Sequence, residues 1–192
     1  MPSLILASSS PFRKSLLERL RIPFECDSPN IDETRHADES PDVYVQRLSL
    51  EKAQTVAQRH PDSLIIASDQ CSVLGDTIYG KPIHHDIARQ QLQTSSGRRV
   101  SFLTGLCVMD SHTGHYLLDM TPYYVDFREL SLSEIERYLI TEQPYQCAGS
   151  FKSEGFGVTL FKGMEGDDPT ALVGLPLIRL CGMLREFGQE LP

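Results

Sequence analysis

The chain has 192 residues, 40% of them hydrophobic, which suffices for a substantial core in one domain spanning 1–192, and its formal net charge is −8. That balance opposes binding to a nucleic-acid backbone, so a phosphate-bearing small molecule would have to meet locally placed cations or a metal ion. Five scattered cysteines (Cys26, Cys71, Cys107, Cys147, Cys181) without a C-x-x-C pair argue against a disulfide framework or a zinc site, and no apolar run reaches membrane-spanning length, so a soluble cytoplasmic protein is expected.

The first stretch, Leu4 to Lys14, reads as a short buried strand, a loop of three serines and a helix opening. Ser10 suits the N-cap and Pro11 the first helical position; Phe12, Leu16, Leu17 and Leu20 follow at helical spacing. A strand feeding a helix through small hydroxyl residues aims backbone N–H groups and the positive helix end at one point, where Arg13 and Lys14 add charge. An ordinary capped helix with two solvated basic residues gives the same spacing. Phe24–Ser28 reads as a second strand closed by Pro29. In the polar loop after it, Asp32 and Glu33 fit either a solvated turn or a pair of metal-binding carboxylates facing the first loop.

Ser40-Pro41 opens a helix that runs toward Pro61, with Val43, Leu48, Ala53, Val56 and Ala57 as its apolar stripe. Lys52 on such a helix is ordinarily the exposed partner of a nearby carboxylate such as Glu51. Leu64–Ala67 reads as a buried parallel strand, with Asp69 just past its carboxyl end, where open α/β sheets bind ligands. Cys71–Leu74, Gly75-Asp76 and Thr77–Tyr79 resemble a small hairpin leading to Gly80-Lys81-Pro82, which holds Lys81 on a constrained loop.

Residues 84–95 read as a helix, on which the adjacent His84 and His85 project in different directions as surface residues. Val100–Met109 and Tyr116–Phe127 read as two long strands of an antiparallel hairpin. Ser131 and Glu134 form a capping box for a helix over Leu132–Thr141. Cys147–Gly155, rich in small residues, is either a plain loop or a wall for a planar ligand. Val158–Phe161 reads as a strand, Asp167-Asp168-Pro169 as a turn, and an amphipathic helix runs to about Phe187. The order of elements indicates a mixed α/β domain.

Taken together, L-I-L-A-S-S-S-P-F-R, N-I-D-E, E-K-A, I-I-A-S-D-Q, G-K-P, C-A-G-S-F-K-S-E-G and V-G-L-P resemble, in order and over nearly the whole chain, the Maf family of nucleotide pyrophosphatases. The resemblance implies an α/β fold of the Maf and inosine-triphosphate-pyrophosphatase type, with a twisted mixed sheet, flanking helices and two lobes around a cleft. It implies metal-dependent hydrolysis of a nucleoside triphosphate to the monophosphate and pyrophosphate, with Mg²⁺ or Mn²⁺ as cofactor. Carried over by motif, Asp69 would be the proton acceptor. Ser8, Arg13, Lys52 and Lys81 would contact phosphates, and Glu33 would help Asp69 hold the metal. A triphosphate carries about four negative charges, so its hydrolysis needs charge neutralisation and an aligned water more than covalent participation.

Three positions separate subgroups of this family and here read Phe12, Gln70 and Glu154. The subgroup acting on thymidine and uridine triphosphates has Arg, Thr and Gln there; the set in this chain resembles the subgroup that hydrolyses 7-methyl-GTP. An aromatic face at Phe12 would stack on the cationic methylated guanine with a cation–π contribution of roughly 0.5–2 kcal/mol. Glu154 would accept hydrogen bonds from the N–H edge of the base, worth about 1.5–3 kcal/mol. Core packing beneath the first helix is the alternative role for Phe12. The alternative functions are pyrophosphatase action on dTTP, UTP or another non-canonical nucleotide, and nucleotide-dependent regulation of cell division with little turnover. The sequence leaves a homodimer open.

Overall fold

A computed structural model describes residues 2–75 and 77–191, so Asp76 of the predicted turn lies outside the described residues. The strands are β1 (Ser3–Leu6), β2 (Glu25–Cys26), β3 (Ser63–Leu74), β4 (Thr77–Tyr79), β5 (Arg99–Asp110), β6 (Tyr116–Phe127) and β7 (Phe161–Glu165). The helices are α1 (Pro11–Glu18), α2 (Pro41–Ala57), α3 (His85–Ser95), α4 (Leu132–Glu142) and α5 (Leu177–Glu186). The strands form one mixed sheet in the order β2-β1-β3-β5-β6-β7, with β4 paired to β3. The chain divides into two compact units, 1–69 with 104–121 and 168–192, and 70–103 with 122–167.

In the first unit β1 is paired in parallel with both β2 and β3, with Leu4 opposite Leu64 and Leu6 opposite Ile66. Successive side chains of a strand point to opposite faces, and the buried apolar residues sort accordingly. Leu4, Leu6, Leu64 and Ile66 pack with Leu16 and Leu17 of α1 and Leu180, Met183 and Leu184 of α5. Ile5, Ala7, Ile65 and Ala67 pack on the other side with Ala53 and Val56 of α2. Continuous apolar runs in β1 and β3 are thus the signature of strands covered on both faces.

Gly105 on β5 lets α2 approach closely: a Cβ there would stand 2.3 Å from the Val45 carbonyl oxygen and 2.7 Å from Ser49 Oγ. Ser10 caps α1 by accepting the Arg13 N–H at 3.4 Å, with Pro11 in the first turn. In the second unit β3 and β4 form the expected hairpin, with Ser72 opposite Tyr79. The α4 capping box forms in full. Phe151 packs edge-on against Phe102, Phe127 and Phe161.

Several predicted boundaries shift. The second strand contracts to Glu25–Cys26. Strand β3 does not stop at Ala67 but continues to Leu74, which puts Asp69 inside the strand instead of beyond it. Val43 is exposed and Val45 takes its place in the buried stripe of α2. The predicted strand Val158–Phe161 is instead a 3₁₀ turn over Phe156–Leu160 followed by β7. Local bonds win there, with the Gly157 N–H donating to the Lys152 carbonyl and the Thr159 hydroxyl to that of Phe156.

Candidate active site

Lys52 is the centre of the first unit's polar interior. Its side chain is only 7% exposed, against the exposed position expected on its helix, and its ammonium lies 2.5 Å from Asp69 Oδ1 and 2.7 Å from Glu33 Oε1. Glu51, the partner expected from its proximity in sequence, pairs with Arg47. Asp69 is 11% exposed and Glu33 56%, so one carboxylate is fixed in the interior and the other reaches in from solvent. Asp32 does not join them; its carboxylate accepts the Thr34 N–H at 2.9 Å and closes its own loop.

The strand-to-helix corner supplies the rest. Ser8 is buried after β1, and its hydroxyl oxygen accepts the Ser10 N–H at 3.1 Å and Arg13 Nη1–H at 3.5 Å. Arg13 Nε donates to the Gly174 carbonyl at 2.8 Å. Burial lowers the Arg13 guanidinium pKa, while the negative charges of Asp69 and Glu33 oppose the shift, so this cation shares the field of the two carboxylates. Phe12, beside it, is half-buried and is not among the buried residues of the core. Ser8, Arg13, Glu33, Lys52 and Asp69 therefore meet within one compact unit, drawn from β1, α1, the loop before α2, α2 itself and β3.

Several residues that the motifs did not single out hold this group in place. Ser49 Oγ donates to the Val45 carbonyl and accepts the Asp69 N–H at 3.0 Å, tying β3 to α2 one helical turn from Lys52. The Ser68 hydroxyl is shared between the Gly105 and Gly174 carbonyls, so the carbonyl that orients Arg13 is itself tied to β3. Gly174 has φ +114°, a backbone state that side chains disfavour. Apart from the Ser49–Val45 bond within α2, single-residue propensity carries no trace of these bonds, because they depend on chain segments distant in sequence.

Arg47 braces the loop that carries Glu33. It donates to both oxygens of Glu39, to Glu51 and to the Thr34 carbonyl, while the Tyr44 hydroxyl donates to the Glu33 carbonyl. The bonds from Arg47, opposed by burial and helped by the His36 N–H, hold the Glu39 carboxyl at about 2 instead of 4.5. A depressed carboxyl pKa contributes stability that is complete above the ordinary value and disappears as pH falls through the depressed one. Arg47→Met is therefore expected to cost roughly 2 kcal/mol at neutral pH. It should also flatten the loss of stability between pH 4.5 and about 2. Urea unfolding at neutral pH and within that window checks both.

In the second unit, Lys81 lies exposed on the loop after β4. Gln91 Nε2 holds the Gly80 carbonyl of that loop at 3.3 Å, the Ile83 N–H donates to the Tyr145 carbonyl, and Gln91 Oε1 accepts the Ser150 hydroxyl. Gln91 thus links the G-K-P loop to the C-A-G-S turn, a role its place on a polar helix did not announce. His85 binds Tyr145 and Glu136, and His84 is exposed. Burial first, then the Glu154 charge, push the Cys147 thiol up to about 11 against the pull of Lys152 and Lys81. The charges of Glu154, Lys152, Lys81 and Glu142 all act on this one thiol. Glu154 is exposed, and Gln70 is half-buried on β3 directly after Asp69. All five cysteines are free thiols.

The family model described as Maf-like protein matches residues 3–187. The chain belongs to the Maf family. Among its curated relatives, a protein of Alcanivorax borkumensis named 7-methyl-GTP pyrophosphatase is 54% identical over 191 residues, covering 100% of this chain and 97% of the relative. One of Pseudomonas syringae with the same name is 54% identical over 192 residues and 100% of both chains. One of Colwellia psychrerythraea, also so named, is 50% identical over 188 residues, covering 98% of this chain and 94% of the relative. Among the described residues no helix is long and apolar enough to cross a membrane.

Proposed function

We propose that this Maf-family chain is a cytoplasmic pyrophosphatase that hydrolyses 7-methyl-GTP to 7-methyl-GMP and pyrophosphate with the help of a divalent cation. The observation that carries the reaction class is the buried Lys52 ammonium bridging Asp69 and Glu33, with Arg13 and Ser8 assembled on the same unit. The names of the relatives and the residues Phe12, Gln70 and Glu154 support the choice of base.

Asp69 accepts the proton of the attacking water. The Ser49 hydroxyl fixes the Asp69 backbone N–H on its strand, and Lys52 Nζ donates to the carboxylate itself at 2.5 Å. Arg13, oriented by the Gly174 carbonyl and the Ser8 hydroxyl, offers its remaining N–H groups to phosphate oxygens. Lys52 adds a point charge to the same task, and the assignment of Lys81 to phosphate rests on the G-K-P motif. No group of three or more His, Cys, Asp or Glu is gathered for a metal among the described residues. The donor set nevertheless fits Mg²⁺ or Mn²⁺, because two carboxylates converging on one cation suffice when phosphate oxygens and waters complete the shell. Glu33 and Asp69 would hold the ion, which would polarise phosphoryl oxygens and acidify a bound water. Phe12, outside the buried core, has the exposure that stacking on a cationic base requires.

The test is pyrophosphate release with Mg²⁺ or Mn²⁺ from 7-methyl-GTP, GTP, dTTP, UTP and inosine triphosphate. A preference for 7-methyl-GTP of at least about tenfold over GTP is expected from one cation–π and one charge-assisted contact together. Turnover led by dTTP or UTP would discard the base assignment and keep the reaction. Nucleotide binding without pyrophosphate release would discard the reaction.

A further inference from the structure

Glu154 lies in a loop whose two ends are held by a single residue, and that residue is not among those marked by motif. Glu142 closes α4. One of its carboxylate oxygens lies 3.1 Å from Lys152 Nζ, its other accepts the Phe156 N–H at 2.8 Å, and its backbone carbonyl accepts Lys152 Nζ–H at 3.1 Å. The Lys152 N–H donates to the Tyr138 hydroxyl at 3.0 Å, a third point of attachment on the same helix. The loop 152–156 is therefore clamped to the C-terminal turn of α4 on both sides of Glu154.

The clamp also disposes of a charge. Lys152 is two residues from Glu154, and both charges act on the Cys147 thiol, so they share one neighbourhood. A lysine so placed would ordinarily neutralise the glutamate. Here its ammonium takes the helix C-terminus instead, where unsatisfied carbonyls and the helix dipole favour a cation. Among the described residues, no lysine or arginine lies within 4.0 Å of the Glu154 carboxylate, which accepts the Ser153 hydroxyl at 3.3 Å.

We propose that Glu142 is a positioning residue for base selectivity: by sequestering the Lys152 ammonium at the end of α4, it leaves the Glu154 carboxylate uncompensated and able to prefer a cationic base. This rests on the reading of Glu154 as the acceptor for the base. A neutral guanine gains less from the uncompensated charge than a methylated one, so Glu142 controls the ratio between the two substrates more than the rate on either.

The experiment measures kcat and KM for 7-methyl-GTP and for GTP in the wild type, Glu142→Gln, Lys152→Met, the double variant and Glu154→Gln. Glutamine keeps an acceptor for the Phe156 N–H but loses the charge that retains the lysine. Glu142→Gln is expected to lower the preference for 7-methyl-GTP by about tenfold, the scale of one charge-assisted contact, mainly through KM. Adding Lys152→Met should restore most of it, because the ammonium that Glu142 released is then absent. Lys152→Met alone, which keeps Glu142 in place, should retain the preference. Restoration in the double variant is the decisive result, since a merely structural role for Glu142 predicts that a second substitution in the clamp makes matters worse. An unchanged preference in Glu142→Gln, a loss in Lys152→Met, or no restoration overturns the proposal. If Glu154→Gln keeps the preference, the underlying reading of Glu154 fails and the proposal with it. That failure is recognisable because it occurs with the clamp intact.

Discussion

Asp69→Asn is expected to lower kcat for pyrophosphate release by about 10²–10⁴-fold, the range general-base catalysis contributes, while the protein stays folded. The substitution is isosteric. Asparagine keeps an oxygen toward Lys52 Nζ, 2.5 Å from Asp69 Oδ1, and leaves the Asp69 backbone N–H on Ser49. What it removes is the ability to take a proton, together with one of the two negative charges facing Lys52 and Arg13. The loss should therefore fall on kcat more than on KM for the nucleotide, because Ser8 and Arg13 at the β1–α1 corner are untouched. Single-turnover release measured with saturating nucleotide separates the two effects. Full turnover in the variant would place the base elsewhere.

The parts of the fold that were legible in the sequence are those governed by local chemistry. Ser10-Pro11 and the Ser131/Glu134 box state where helices begin, and the structure places α1 and α4 there. The apolar runs at Leu4–Ala7 and Leu64–Ala67 state that both faces of those strands are covered, and two separate clusters cover them. Boundaries set by long-range pairing were not legible. The hairpin of Cys71–Leu74 with Thr77–Tyr79 was legible, but nothing local to Ser68-Asp69-Gln70 says that β3 runs unbroken into it, and nothing in Val158–Phe161 says that the strand starts only at Phe161, opposite Phe127. Lys52 shows the same limit from the other side. Its helical spacing placed it beside Glu51 at the surface, whereas its ammonium is taken into the interior by Asp69, 17 positions away. The motifs identified the residues of the first-unit cluster, but did not mark the bonds that Ser49, Ser68 and Arg47 make to other segments, nor those of Gln91 in the second unit. A serine inside a helix or a glutamine on one carries no local signal of the bond it makes across the fold.

Lys52→Met is expected to reduce kcat/KM by about 10²-fold or more, and to make the protein more responsive to divalent cations at the same time. Both effects follow from its position. The ammonium is the cation on which Asp69 and Glu33 converge, and removing one partner of a buried pair leaves the other uncompensated, at a cost of about 3–5 kcal/mol where burial is complete. Here Glu33 is more than half exposed and solvent screens it, so the penalty rests mainly on Asp69 and should fall toward the lower end of that range. Methionine fills the space of the buried lysine stem without restoring charge. A divalent ion held by the same two carboxylates would repair the deficit. The melting temperature of Lys52→Met should therefore rise more with added Mg²⁺ or Mn²⁺, without nucleotide, than that of the wild type, in which the ion must displace an ammonium already in place. Activity should not return with the metal, because the charge that Lys52 is proposed to offer to phosphate is still missing. A variant that gains no more thermal stability from the cation than the wild type would show that Glu33 and Asp69 do not form the metal site, even if its turnover were lost as expected.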